Sequence, residues 1–298
     1  MSTIIHVGYP KTGTTWFTDF FYPFIKNANV SYTSDLEYCF DKGKEFLKVK
    51  RKIDMNNDKH YIIIAHKFVG VEEFKWDHGK YRDFFVQHLK YNFPDALIIV
   101  FIRNQIDFLA SVYSSYITHG GTYNFKKLFK EGKLADGSMF AFEYLNYYQL
   151  IKLYQEAFGK ENVYLYVYED FMNNNKAFLE KYINDLKIEI DLDKLNYKRN
   201  NETLRIGLAN IIRLLNYFKK DGVQPKKSFF NIPWTSKWLT KKRVIYLNSL
   251  KIFGPKLKKE NVLGADLINF MKEYYKSSNL LLINEFSLKN IEKYKYPL

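Results

Sequence analysis

The sequence predicts a three-layer α/β fold, with a central parallel sheet flanked by helices and a mainly helical C-terminal part. Three observations carry this expectation. Short β-branched runs alternate with longer segments of helical period. The short runs are apolar throughout, as strands buried on both faces are. After about Lys187 the strand signals give way to helical ones. In chain order, Thr3–Val7, Tyr61–Ala65, Leu97–Ile102 and Val163–Val167 read as buried strands, each bounded by turn or charged residues. Thr14–Lys26, Tyr81–Lys90, Gln105–Ile117, Phe140–Phe158 and Asn175–Leu186 read as helices, followed by Thr203–Phe218 and Ala265–Asn284. Strands separated by helices imply right-handed crossovers and a parallel sheet. Ligands then bind beyond the carboxyl ends of the strands, which directs attention to the residues following each one.

A chain of 298 residues suits one large α/β domain with a substantial core. Hydrophobic residues make up 47% and charged residues 26%, a globular balance that excludes a disordered tail protein. The single Cys39 excludes an internal disulfide and a Cys-based metal site, and fits a reducing compartment. No window of about 18–20 apolar residues could span a bilayer. The opening MSTIIHVGYPKTGTTW has no basic stretch followed by a long apolar one, so it does not read as a signal peptide. A soluble, cytoplasmic protein is expected, with a membrane-peripheral position as the alternative. Formal charge is +14, yet Lys219–Glu260 alone holds 12 Lys/Arg against Asp221 and Glu260. The basicity is local.

The first strand runs into Gly8-Tyr9-Pro10-Lys11-Thr12-Gly13-Thr14-Thr15-Trp16 and then a helical pattern. A strand, a Gly-containing turn rich in hydroxyls and a helix N-terminus make an anion cradle. Backbone N–H groups converge, the helix dipole favours negative charge, and Lys11 adds a cation. An ordinary junction with Thr14 or Thr15 as N-cap is the plain alternative. The nucleoside-triphosphate loop reads G-x-x-x-x-G-K-[ST]. Gly8 and Gly13 have its separation, but Thr14 stands at the Lys position and the Lys lies two residues before Gly13. The ATP/GTP signature therefore fails. The run P-K-T-G-T-T-W, Pro10 to Trp16, instead resembles the 5′-phosphosulfate loop of the sulfotransferases that use 3′-phosphoadenosine-5′-phosphosulfate (PAPS).

A second element supports the resemblance. The strand Leu97–Ile102 ends at Arg103, and Ser111 follows eight residues later, about two turns into the next helix. An Arg fork and a hydroxyl can clamp one phosphate; the alternative is an Arg paired to Asp107. This spacing resembles the family's 3′-phosphate element, R-N-P-x-D-x-x-x-S, with Gln105 where Pro is usual. Tyr168-Glu169-Asp170, after the strand Val163–Val167, resembles the family's Y-E-D segment, which implies that Tyr168 approaches the adenine. Trp16 is a further candidate for the base. The basic R-K-G motif of cytosolic members has no counterpart; Arg199 and Arg205 are the substitutes considered. The resemblance implies a P-loop NTPase-like fold and a single sulfotransferase domain over 1–298. Residues 1–186 would form the PAPS-binding core and 187–298 a mainly helical basic extension. The look is nearer to bacterial and carbohydrate-type members.

By that resemblance, PAPS is the co-substrate, PAP the product, and no metal is required. Lys11 stabilises the leaving oxygen, while the loop N–H groups with Thr12, Gly13, Thr14 and Thr15 hold the 5′-phosphate. The acceptor hydroxyl, or less readily an amine, must lose its proton to a base. Glu37, in Leu36-Glu37-Tyr38-Cys39-Phe40, resembles the K-E-x-x-Y/F segment of carbohydrate sulfotransferases. His66, in Ile64-Ala65-His66-Lys67, resembles the T-H of cytosolic ones, and a neutral His is an apt base near pH 7. Both stand as candidates, and a saccharide is the preferred acceptor within a small-molecule or saccharide class. Lys219–Glu260 interleaves cations with Phe229, Phe230, Trp234, Trp238 and Tyr246. Such a segment suits an acidic glycan or an anionic membrane surface. The rival from another class is a non-catalytic anionic-surface or nucleic-acid-binding protein whose loop is merely structural. No nucleic-acid recognition signature supports it, so no specific nucleic-acid partner is expected.

Overall fold

The computed structural model describes residues 2–32, 36–41, 44–49, 59–64, 69, 82–131, 142–197, 203–220, 222, 226–229, 232 and 240–298. Five parallel strands build the central sheet: β1 (Thr3–Gly8), β2 (Ala28–Tyr32), β5 (His60–Ile64), β6 (Leu97–Ile102) and β7 (Val163–Val167), in the order β2-β5-β1-β6-β7. A separate antiparallel hairpin, β3 (Leu36–Asp41) with β4 (Lys44–Val49), lies between β2 and β5 in the chain. The four buried strands read from the sequence are all present, and Leu97–Ile102 and Val163–Val167 keep their expected bounds. Strand β2 was not anticipated. Its run Ala28-Asn-Val-Ser-Tyr32 is too polar to read as a buried strand, and it sits at the sheet edge, where one side needs no partner.

The apolar strands feed two cores by simple alternation. Ile5 and Val7 of β1, Ile63 of β5, and Ile98, Val100 and Ile102 of β6 face one side. Ile4, Ile62, Ile64, Ile99 and Phe101 face the other. Successive side chains of a strand point to opposite faces, so a continuous apolar run is what a sheet covered on both sides requires. The first side is covered by α2 (Arg82–Asn92), α3 (Gln105–Thr118), the helix Tyr147–Phe158 and the helix Ala265–Phe286. The second is half aromatic, with Phe17, Phe21, Tyr22, Phe101, Tyr166, Phe178 and Tyr182 all buried.

Two expected helices end differently. Thr14–Lys26 begins as α1 (Thr14–Trp16), widens to a π turn over Phe17–Phe21 and closes as a 3-10 turn at Tyr22–Phe24. Pro23 lacks the N–H that a continuing helix needs, and Ile25 turns extended (ψ 129°). Phe140–Phe158 is divided at Asn146, whose side-chain oxygen accepts the Gln149 N–H and caps the helix Tyr147–Phe158; a 3-10 turn, Phe142–Leu145, precedes it. In the second part, the helices Ile206–Asn216 and Ala265–Phe286 match those expected there. No helix among the described residues is long and apolar enough to cross a membrane.

Phe101 is fully buried, with ring centroids 5.0 Å from both His6 and Phe17 and 5.4 Å from Tyr166. Phe101→Ala is expected to cost about 3–5 kcal/mol in urea unfolding, because this rigid layer cannot collapse into the void.

Candidate active site

Strands β1 and β6 are neighbours, but their connections leave in opposite directions, β1 toward β2 and β6 toward β7. Such a divergence opens a crevice at the carboxyl ends. The register of β1 against β6 shifts between His6 and Gly8, and the Tyr9 N–H then donates to the Phe101 carbonyl at 3.0 Å. The strand thus ends in a bulge that releases the chain into the loop.

The loop is tightly wound. Lys11 has φ 64° and Gly13 φ 84°. The Thr12 side chain is fully buried, and its hydroxyl donates to the Tyr9 carbonyl. A Cβ on Gly13 would lie 3.3 Å from the Tyr168 ring, so both conformation and space call for glycine. Gly13 itself is the N-cap of α1, with no side-chain cap, in place of the Thr14 or Thr15 cap weighed from the sequence. The Trp16 and Phe17 N–H groups both donate to the Gly13 carbonyl, at 2.8 and 3.1 Å. The amides of Gly13, Thr14 and Thr15 precede these first intrahelical bonds and point out of the helix start. Thr14 is half-buried and Thr15 exposed.

Beneath the loop, Tyr9 is buried, and Arg82 of α2 donates to its hydroxyl at 2.9 Å and to the Tyr144 carbonyl. Burial lifts the Tyr9 phenol to about 12 despite the nearby Arg82 charge. Tyr9 therefore stays a neutral donor, bonded to the Tyr144 carbonyl at 2.9 Å. Trp16 is also buried. Its indole N–H donates to the Asn196 carbonyl at 2.9 Å, and its ring lies between Phe171 and Tyr197.

Lys11 and Arg103 come together. The Arg103 Nη1 donates to the Lys11 carbonyl at 2.8 Å, and its guanidinium lies 4.9 Å from the Tyr168 ring centroid. Asn104, the N-cap of α3, accepts the Ile106 and Asp107 N–H groups and so fixes the turn after Arg103. Asp107 pairs with Lys259 at 3.1 Å, not with Arg103. Arg103 and Ser111 line an open cleft of about 590 Å³ together with Asp107, Lys258, Lys259 and Glu260. Three cations there face two carboxylates. Lys258 and Lys259 belong to the basic segment Lys219–Glu260, which the sequence assigns to a surface and not to the donor site; they lie some 155 residues beyond Arg103, and only the folding of the second part brings them to the cleft. Arg205 is spent elsewhere, donating to the Asn248 and Gly254 carbonyls. Arg199 lies outside the described residues.

The Lys11 ammonium donates to Ser115 Oγ at 2.6 Å, and His119 Nδ1 lies 3.3 Å from the same oxygen. Ser115 stands one turn beyond Ser111 on α3, a spacing that was readable from the sequence. His66 falls outside the described residues, and of Glu37 only the strand backbone, paired with Lys48, is described. The structure thus brings together Lys11, Gly13, Arg103, Ser111 and Tyr168, and leaves the two base candidates unplaced.

A strand-loop-helix turn thus lies beside Arg103 and Ser111 at the switch point of a parallel sheet in an α/β protein. The family model for the sulfotransferase domain matches residues 2–206, well over half of the chain, and the chain belongs to the sulfotransferase family. Among solved structures it is similar to the sulfotransferase from Alicyclobacillus acidocaldarius, at 14% identity over 67% of this chain and 87% of that one, with a TM-score of 0.48. It is also similar to mouse sulfotransferase SULT7A1 complexed with PAP, at 15% identity over 100% of this chain and 89% of that one, with a TM-score of 0.49. No curated protein matches the chain significantly.

Glu169, next to Tyr168, carries a pH signature. Burial raises its carboxyl above the ordinary 4.5, against the lowering effects of the Asn104 N–H, the Tyr296 hydroxyl and the Arg103 charge. A carboxyl raised on folding stabilises the fold while protonated, and that contribution is lost as pH climbs through its folded value. Glu169→Gln keeps an acceptor for the Asn104 N–H. Its stability relative to the parent is expected to improve as pH rises through the folded value of the Glu169 carboxyl and to level off above it, read from urea midpoints across that range.

Proposed function

We propose that this sulfotransferase takes its sulfuryl group from PAPS held across the β1 and β6 loops, and passes it to a hydroxyl acceptor, a saccharide by preference. The observation that carries the reading is the 2.8 Å bond from Arg103 to the Lys11 carbonyl, which sets two anion-binding elements side by side. The residues present suit such a donor: Gly13 leaves space beside Tyr168 that a Cβ would narrow, and the adjoining cleft has an excess of cations. Bound there, PAPS supplies a sulfuryl group on a phosphate leaving group.

The 5′-phosphate falls to the amides of Gly13, Thr14 and Thr15, assisted by Pro10, which shapes the turn, and by Thr12, which braces it. The 3′-phosphate falls to Arg103 and Ser111, with Lys258 adding charge from the second part. Tyr168, held flat by the guanidinium, offers its ring edge to the nucleoside. Lys11 meets the charge that grows on the bridging oxygen, and its bond to Ser115 keeps the ammonium over the crevice. The acceptor proton leaves to His66 or Glu37. The saccharide preference rests on the Glu37 segment and its resemblance to carbohydrate sulfotransferases. Residues 187–298 complete the site and do not merely append to it. The basic stretch within them is the surface we assign to an acidic glycan or an anionic membrane, in a protein of the cytoplasm.

Titration with adenosine 3′,5′-bisphosphate and with ATP tests the donor. The bisphosphate should bind and ATP should bind far more weakly. Arg103→Ala should weaken bisphosphate binding at least about tenfold, the cost of losing one charge-assisted phosphate contact. Lys11→Ala should lower kcat far more than it lowers affinity. Equal binding of ATP, or bisphosphate affinity indifferent to Arg103, refutes the reading.

The base is found by comparing Glu37→Gln with His66→Asn. The true base loses about 100-fold or more in kcat while bisphosphate affinity persists, and the other variant keeps most of its turnover.

A further inference from the structure

The closing sequence Tyr294-Lys-Tyr-Pro297 has no part in the donor site as described, yet its bonds converge on the two turns that carry Arg103 and Tyr168. The Asn104 amide nitrogen Nδ2 donates to the Tyr294 and Lys295 carbonyls at 3.1 and 2.7 Å. The Glu169 carboxylate bridges the turns: Oε1 accepts the Asn104 backbone N–H and Oε2 the Tyr296 hydroxyl, both at 2.9 Å. Asp170 accepts the Tyr294 hydroxyl at 2.7 Å and the Asn290 amide. Asn104 and Glu169 are the residues immediately after Arg103 and Tyr168. The segment therefore grips, one residue away, each half of the Arg103–Tyr168 stack.

Gln105 joins the same network. Its Nε2 donates to Asn279 Oδ1 at 2.8 Å, and Asn279 Nδ2 donates to the Pro297 carbonyl at 2.8 Å. This accounts for Gln where the family pattern has Pro. Proline would suit the first position of α3 but could not make the amide bond to the helix Ala265–Phe286. The segment is held in turn by its own geometry: Lys295 is left-handed at φ 54°, the Tyr296 N–H donates to the Ile291 carbonyl, and Tyr296 is 3% exposed. A segment that only filled space would need apolar contacts alone. This one delivers two carbonyls and two hydroxyls to the residues that follow the proposed ligand-binding side chains.

We propose that Tyr294–Pro297, and Tyr296 above all, are positioning residues for the donor site: through Glu169 and Asn104 they hold Arg103 and Tyr168 at the spacing that the nucleotide needs. The inference rests on the donor reading above. Tyr296→Phe keeps the ring and deletes one hydroxyl bonded to the half-buried Glu169 carboxylate. Its bisphosphate Kd and donor KM should both rise about five- to tenfold, with a smaller change in kcat. Tyr294→Phe, whose hydroxyl is less buried, should show the same pattern more weakly. In a Glu169→Gln background the effect of Tyr296→Phe should shrink, since the bridging charge is gone.

Thermal midpoints without ligand establish that each variant folds; if Tyr296→Phe does not, the test passes to Tyr294→Phe. Parent protein that binds the bisphosphate, weakened by Arg103→Ala but unaffected by both Tyr variants, overturns the positioning role alone. Parent protein that does not bind the bisphosphate overturns the donor reading and the positioning role with it. A raised Kd in folded Tyr variants, coupled to Glu169, supports both.

Discussion

The Arg103 side chain reaches across from the end of one central strand to the carbonyl of Lys11 at the end of its neighbour, and the site is organised around that single 2.8 Å bond. It requires β1 and β6 to be adjacent, parallel and of matched length, which the register of Ile4–Gly8 against Leu97–Val100 ensures. It also requires Lys11 to present its carbonyl inward while its ammonium points to Ser115, and the left-handed backbone at Lys11 makes room for both. Because the Arg uses one guanidinium edge for this bond and one face for Tyr168, its orientation is settled before any ligand arrives. Preorganised donors of this kind need no rearrangement as charge develops.

Gathering cations at one crevice is electrostatically costly, and the fold distributes the cost over several partners. Asp107 pairs with Lys259, Glu169 lies close to Arg103, and carbonyl groups take up what is left. The excess over the carboxylates is then small, enough for a polyanionic donor but far below what the chain's total charge suggests. Most of the +14 belongs to residues 219–260, whose described lysines lie largely at the surface. The overall charge is therefore largely a property of the surface, although Lys258 and Lys259 of the same stretch line the cleft beside Arg103.

The buried strands and the Pro10–Trp16 loop were legible because each rests on local sequence: an unbroken apolar run, or a short motif read in order. Arg103 and Ser111 were legible for the same reason, as a spacing within one strand-helix unit. Helix ends were less so. Pro23 and Asn146 each interrupt a pattern whose apolar periodicity continues through them, and the backbone chemistry of one residue prevails over the periodicity of many. Strand β2 was hidden because an edge strand can be polar and still pair on one side.

By itself the sequence determined the class of fold and the family resemblance, and singled out the Pro10–Trp16 loop with Arg103 and Ser111, since hydrophobic period and contiguous motifs survive in one dimension. It also located the surplus charge. Only the tertiary structure decided which strands are neighbours, that Asp107 belongs to Lys259 and not to Arg103, and that Lys258 joins the cleft while Arg205 does not. It alone brought Tyr294 and Tyr296 to the turns after β6 and β7, more than 120 residues away along the chain. Such contacts depend on how crossovers and helices pack, and packing answers to the shape of the whole molecule, which no local pattern of residues contains.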